Sequence, residues 1–310
     1  MSTAFHLLQT DQVRCYDADG RDTACRDAGQ DAAFGKHEGL WQPQRFAVRG
    51  DAVHDRITGA VWCRQGDLAH FPLTWEEARD FVARMRARRV DGLDTWQLPS
   101  RRLLFSLLSH QSVNPALPAG HPFRQVFNGY YWSDDTCQRL PDQAWYVHLG
   151  GGRVHRGMKH GSYMVWPVAA PSAVPLPAED RFVVTGRCAR DRHTGLMWPL
   201  GADRTGKPVD WPGALAAVSR CNRERVAGFD DWRLPNIREL ESLVDLGAHD
   251  PALAPEHPFA SVREGYWSST TSVYEPRYAW VLYLQDGGVG VGFKPQSDFH
   301  VWPVRGPVAG

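Results

Sequence analysis

The sequence predicts an α+β fold built twice. Three observations carry that reading: a long internal repeat, two capped helical patterns in each copy, and short aromatic runs that alternate as strands do. The repeat is the strongest. "DRITGAVW" (55–62) returns as "DRHTGLMW" (191–198), "DTWQLPS" (94–100) as "DDWRLPN" (230–236), and "NPALPAGHPF" (114–123) as "DPALAPEHPF" (250–259), each offset by 136 residues. Arg45-Phe46 likewise returns as Arg181-Phe182. Further on the register slips by one: "GYYWSDDT" (129–136) matches "GYWSSTT" (265–271), and "QAWYVHL" (143–149) matches "YAWVLYL" (278–284). "YMVWPV" (163–168) matches "FHVWPV" (299–304). Solenoid units run to about 20–50 residues, so this period describes whole domains. The expected layout is a lead-in over 1–44, a first domain over 45–168, a Pro/Ala linker "AAPSAVPLPAED" over 169–180, and a second domain over 181–310.

Each copy opens with strand, turn, strand: "FAVRGDAVHDRITGAVW" and "FVVTGRCARDRHTGLMW". A helix follows. In "TWEEARDFVARMRAR" (74–88) Thr74 is the N-cap and Glu77 closes a capping box. Its counterpart starts at Asp210 with Pro212 in the first turn. Next comes a corner, Trp-x-Leu-Pro. Pro99 and Pro235 cannot donate a backbone hydrogen bond and bias the preceding leucine to extended geometry. Ser100 and Asn236 then cap a second helix, with Glu239 completing a box and Ile237, Leu240, Leu243 and Val244 at helical spacing. Trp96 and Trp232 are expected to plug the core, as are Trp132 and Trp267 in the aromatic strands. Asp286-Gly287-Gly288, between alternating runs, marks a hairpin. Each copy therefore reads as a twisted antiparallel sheet with two helices and long loops.

Composition narrows the function. The chain carries 35 basic and 35 acidic residues, so no overall polyanion-binding charge exists and no specific nucleic-acid signal is visible. No apolar run reaches membrane-spanning length, and the start lacks both a basic n-region and a long h-region; as written, the chain reads as cytoplasmic. The six cysteines form no CxxC pair. Cys15 and Cys25 flank a turn-like segment, where a small disulfide loop and two reduced buried thiols are equally compatible with the residues.

The blocks "RDRHTGLMW…DDWRLPNIREL…YWSST…AWVLYLQDGGVGVGFK…HVWPVR" resemble the DUF1566 family, the C-terminal domain type of the Legionella collagen-like adhesin. The lead-in "CYDADGRDTACRDAGQD" resembles the segment that often precedes such domains. The resemblance covers both copies; the first departs from it with Gln97 in place of the Arg of WRLP and with "WSDD". It implies a C-type-lectin-like fold related to formylglycine-generating-enzyme domains. It also implies a secreted or surface location and, in the adhesin, binding to sulfated glycans. Some relatives are variable ligand-binding proteins.

The chemistry-bearing residues point to binding over catalysis. The late cysteine pair of formylglycine-generating enzymes has no counterpart in 143–168 or 278–304. His121 and His257, in "HPF", read as packed or capping imidazoles. His148, His155 and His160 could meet on a hairpin as metal ligands, although the second copy has Tyr283, Gly290 and Pro295 there. Calcium is the one candidate cofactor, through Asp245, Asp250 and Glu256, with Asp17, Asp19 and Gly20 as a weaker loop; helix-end and turn chemistry is the competing reading of these carboxylates. For ligand binding, the first copy offers Gln138, Arg139, Arg153, His155, Arg156, Lys159 and His160 near Tyr163. The second offers Tyr274, Arg277, Tyr278, Lys294 and Gln296. Aromatics stack on sugars, and Arg and Lys take sulfate or carboxylate. The expected function is an adhesin- or lectin-like binder of a glycan, an acidic polymer or a protein surface. The alternative is an enzyme, or enzyme accessory, of the formylglycine-generating superfamily.

Overall fold

A computed structural model describes residues 7–26, 28–34, 45–169 and 181–307. Apart from Ala169, the expected Pro/Ala linker lies outside the described residues, as do parts of the lead-in. The chain divides into two compact units. One is the first copy. The other is the second copy together with the described residues of the lead-in, 7–26 and 28–34, which are therefore not a free appendage.

In the lead-in, β1 (Cys15–Tyr16) and β2 (Asp22–Thr23) pair antiparallel, and α1 (Asp31–Phe34) follows. Cys15 and Cys25 are joined by a disulfide, which settles the two readings of that pair.

The first copy opens with β3 (Phe46–Arg49), β4 (Ala52–Asp55) and β5 (Val61–Cys63). Helix α2 (Trp75–Ala87), β6 (Trp96–Gln97) and α3 (Arg101–Leu107) follow, then β7 (Tyr130–Thr136), β8 (Gln143–His148), β9 (Val154–Met158) and β10 (Val168–Ala169). One antiparallel sheet has the order β3-β4-β5-β10-β6, and β7-β8-β9 form an antiparallel meander. The second copy repeats this with β11 (Phe182–Thr185), β12 (Cys188–Asp191), β13 (Met197–Pro199), α4 (Trp211–Arg223), α5 (Ile237–Ser242), β14 (Gly265–Thr271), β15 (Tyr278–Tyr283) and β16 (Gly288–Phe293). The architecture is α+β with antiparallel sheets, in tandem. Among the described residues no helix is long and apolar enough to cross a membrane.

Local chemistry explains the boundaries. Thr74 and Glu77 form the expected capping box on α2, and Asp210 caps α4 by accepting from Gly213 N. Asn236 and Glu239 form the box on α5, but that helix ends at Ser242, with Leu243 as its C-cap. The Trp-x-Leu-Pro corner does three jobs. Trp96 and Trp232 are buried, and their indoles donate to Val90 O at 2.8 Å and Val226 O at 2.9 Å. The carbonyls of Pro99 and Pro235 accept from Asp134 N and Ser269 N, fastening the meander. The next residue then starts the helix.

Tryptophans also tie elements together. Trp75, Trp132 and Trp166 donate to Ser133 O, Leu73 O and Cys63 O, and Trp211, Trp267 and Trp302 repeat the set on Ser268 O, Val209 O and Pro199 O. Each of these buried indoles thus has its polar edge satisfied. The repeated Arg45 and Arg181 explain the "RF…DR" blocks. Each makes a buried two-pronged pair, with Asp55 or Asp191, and donates to a helix-end carbonyl, Ser106 O or Ser242 O.

Candidate ligand-binding face of the first copy

Successive residues of a strand point to opposite faces, so the register of β7, β8 and β9 decides which side chains share a surface. Trp132 lies opposite Tyr146, which lies opposite His155, and Tyr130 lies opposite His148. Tyr163 joins them from the segment whose backbone pairs with Leu73. The rings of Tyr130 and Tyr146 have centroids 4.7 Å apart, Tyr146 and Tyr163 4.9 Å, and Tyr130 and Tyr163 5.4 Å. His148 lies 4.7 Å from Tyr130, and His155 6.2 Å from Tyr146. Trp132 forms the floor, 4.5 Å from Tyr163. Gly157 makes this crowding possible: a Cβ there would lie 2.7 Å from the Tyr163 hydroxyl. Tyr130 is 41% exposed, Arg153 and His155 are exposed, and Tyr146, Tyr163 and His148 are half-buried.

The face is basic at its edge. Arg153 sits on the same strand face as His155, and its charge, after burial, helps hold the His148 imidazole below its ordinary pKa. His148 Nδ1 accepts from Gly151 N, so it is an oriented neutral acceptor at neutral pH. Burial pushes the Tyr146 phenol up to about 12, and Tyr163 moves up for the same reason, so both hydroxyls stay protonated. To one side, Lys159 lies over the Trp75 ring at 4.3 Å, with Arg79 at 4.7 Å from the same ring. The result is a platform of three tyrosines with cationic and imidazole groups at its rim. It can stack on a flat apolar ring face, donate hydroxyl hydrogen bonds and meet an anion.

The structure divides the basic run expected from sequence. Arg153 and His155 belong to the platform, and Lys159 flanks it through Trp75. Arg156 belongs to the opposite strand face, where its guanidinium lies 5.9 Å from the ring centroid of Trp145. His160 is exposed in the turn beyond β9, and Gln138 and Arg139 are exposed in the β7–β8 loop. His148 and His155 are held by Gly151 N and Arg156 O. Among the described residues no three His, Cys, Asp or Glu side chains are grouped to hold a metal.

The expected set of the second copy does not converge. Lys294, expected as an exposed cation, is fully buried. Its Nζ donates to Tyr16 O at 3.2 Å and Asp17 O at 3.1 Å, over the Trp211 ring at 4.2 Å. The lead-in hairpin is its cover, and burial lowers its pKa to about 7. Gly20 enables that docking: at φ +81°, its α-carbon faces Arg277 so closely that a Cβ would meet the Arg277 backbone N at 3.0 Å. Arg277 pairs with Glu275 at 3.0 Å, Tyr278 packs on Phe293, and Tyr274 and Gln296 are exposed. Asp17, the weaker calcium candidate, is a turn residue whose carboxylate accepts from Asp19 N and Arg21 N. Asp245 accepts from Gly247 N, Asp250 lies beside His249 at 3.2 Å, and Glu256 is exposed. His121 and His257 stack on Phe123 and Phe259, and burial lowers both pKa values.

Tyr130 and Tyr146 are not among the residues that the sequence alone singles out. Their signal is the contrast between copies: the positions of Tyr130, Tyr146, Tyr163 and His155 hold Gly265, Val281, Phe299 and Gly290 in the second.

The family model of the Lcl C-terminal domain matches residues 51–169 and again residues 187–305. No curated protein matches the chain.

Proposed function

Because the chain belongs to the Lcl C-terminal domain family, in two tandem copies, we propose that it is a non-catalytic binding protein that recognises a glycan bearing acidic groups. We read each copy as a C-type-lectin-like scaffold and the tyrosine platform of the first copy as the site. The observation that carries this is the mutual packing of Tyr130, Tyr146 and Tyr163 within 4.7–5.4 Å on one strand face, with Arg153 beside them. The tyrosines offer rigid area with little side-chain entropy to lose and hydroxyls for sugar oxygens. Arg153 supplies a fork for a carboxylate or sulfate. The disulfide of the lead-in supports an oxidising, extracytoplasmic setting.

The enzyme alternative is less well supported by the thiols. The free cysteines Cys63, Cys137, Cys188 and Cys221 are buried. Burial pushes Cys63 up to about 12 and raises Cys188, opposite to what a nucleophilic thiolate needs.

The test is a titration of the full chain with neutral and acidic oligosaccharides. Tyr130→Ala and Arg153→Ala should each weaken the best ligand about tenfold, a change of about 1.4 kcal/mol. Arg153→Ala should also flatten its salt dependence. Undiminished binding in both variants, or preference for neutral over acidic sugars, would overturn the reading.

A further inference from the structure

A second candidate site lies in the second copy. It is a cleft of about 440 Å³. Three arginines reach it from three separate segments. Arg187 comes from the tight β11–β12 turn, Arg204 from the loop after β13, and Arg225 from the turn that ends α4. Glu224 is the one acidic residue of the lining, against those three cations.

The backbone under each arginine is fixed. Arg187 O accepts from Leu200 N at 2.9 Å, and Arg204 N donates to Val301 O at 3.0 Å. The Arg204 loop turns on Asp203, whose carboxylate accepts from Thr205 N, Gly206 N and Arg263 Nε. Arg225 sits at φ 48°, and its carbonyl accepts from Gly228 N at 2.7 Å. Its guanidinium is shared with Asp230 at 3.3 Å. Gly201, in the lining, leaves open space: a Cβ there would meet nothing within 4 Å.

The first copy lacks this site. Asp51 stands where Arg187 is, Leu68 where Arg204 is, and Gln65 where Gly201 is. Two of the three arginines and the glycine are therefore particular to the second copy, while Arg89 keeps the place of Arg225.

We propose that this cleft binds the phosphate group of a small phosphorylated molecule. Three arginines line the cleft against Glu224, and Arg225 also pairs with Asp230, so the balance stays positive by one charge and favours an anion such as a phosphate monoester, which carries about −1.5 to −2 at neutral pH. Guanidinium forks offered from three separate segments suit a tetrahedral oxyanion better than one planar carboxylate. The volume leaves room for an organic group of roughly sugar size beside the phosphate.

The experiment is calorimetric titration of the full chain with inorganic phosphate, inorganic sulfate and acetate at matched ionic strength. Phosphate should saturate one site, bind at least threefold more tightly than sulfate, and exceed acetate by more. Arg187→Ala with Arg204→Ala should weaken phosphate at least tenfold. Gly201→Leu, which fills the cleft while keeping the charges, should weaken it comparably. Unchanged thermal melting confirms that the variants fold; if the double variant unfolds, Gly201→Leu alone decides. Equal heats from all three anions, phosphate binding that survives Gly201→Leu, or sulfate preferred over phosphate would each overturn the proposal.

Discussion

The two copies share a scaffold and differ on one strand face. In the first, Tyr130, Tyr146, His148, Arg153, His155 and Tyr163 occupy positions that in the second hold Gly265, Val281, Tyr283, Gly288, Gly290 and Phe299. Phe299 lies flat enough against the second face that a Cβ on Gly292 would meet it at 2.5 Å. The lysine that flanks this face changes role as well. Lys159 is half-buried over Trp75, whereas Lys294, over Trp211, is sealed beneath the lead-in hairpin. The contrast teaches that duplication kept the fasteners and released the surface. One copy displays polar aromatics; the other is a glycine-paved face with a docked N-terminal segment.

If the scaffold is truly shared, its fasteners must matter equally in both copies. The largest expected effect follows from the buried arginine–aspartate pairs. Asp55→Ala or Asp191→Ala leaves a buried guanidinium without its carboxylate and should cost about 3–5 kcal/mol. Urea unfolding should show comparable losses, each in its own copy. A loss confined to one variant would break the equivalence.

The corner sharpens the comparison. In the second copy Arg233 binds Glu239 in two-pronged fashion, and Glu239 also accepts from Asn236 N. The first copy has Gln97 and Leu103 at these positions. Glu239→Ala should destabilise the second copy by about 1–3 kcal/mol, because it strands a charged partner and removes a capping box. A neutral result in urea unfolding would mean that the corner is held by its Trp and Pro alone.

The docked lead-in makes a smaller, pH-dependent difference. Asp31 is buried, accepts from Thr10 and Thr270 hydroxyls, and is raised to about 6, chiefly by desolvation, with Glu239 raising and Arg233 lowering it. A raised carboxyl contributes stability below about pH 4, and that contribution is lost as pH rises through 6. Lys294, lowered to about 7, behaves in the opposite way. Its contribution is present above about pH 10 and is lost as pH falls through 7. The urea midpoint of this unit should therefore be lowest between about pH 6 and 7. Asp31→Asn should flatten the acid limb and Lys294→Met the alkaline limb. A midpoint that peaks in that window would contradict the sign of both shifts.

These contrasts also show what was readable in advance. The repeat, the caps and the tryptophan plugs were legible because they depend on local spacing and recur. Even Arg156 could have been separated from Arg153 and His155 by strand alternation alone. Lys294 could not have been placed, since its partners Tyr16 and Asp17 lie 278 and 277 residues away in sequence, and a lysine ending a strand ordinarily points to water. Gln12, whose side chain accepts from Thr271 N at 2.9 Å, escaped for the same reason. The tyrosine platform was half legible. Its members scatter over three strands and a loop, and only register brings them together.

The smallest expected effect is the sharpest control on the site. Tyr130 is 41% exposed and Tyr274 is 66% exposed. Tyr274→Ala should change stability by no more than about 0.5 kcal/mol, as is usual for surface positions, and Tyr130→Ala by about 1 kcal/mol, because it loses its ring contacts. They differ in company. Tyr130 stands within 4.7–5.4 Å of Tyr146, His148 and Tyr163, whereas Tyr274 projects from the β14–β15 loop beside an arginine already paired with Glu275. If clustering rather than exposure makes a binding residue, Tyr274→Ala should leave acidic-oligosaccharide affinity unchanged while Tyr130→Ala lowers it about tenfold. Equal losses in both would mean that exposed tyrosines bind without a platform, and the distinction between the copies would fall.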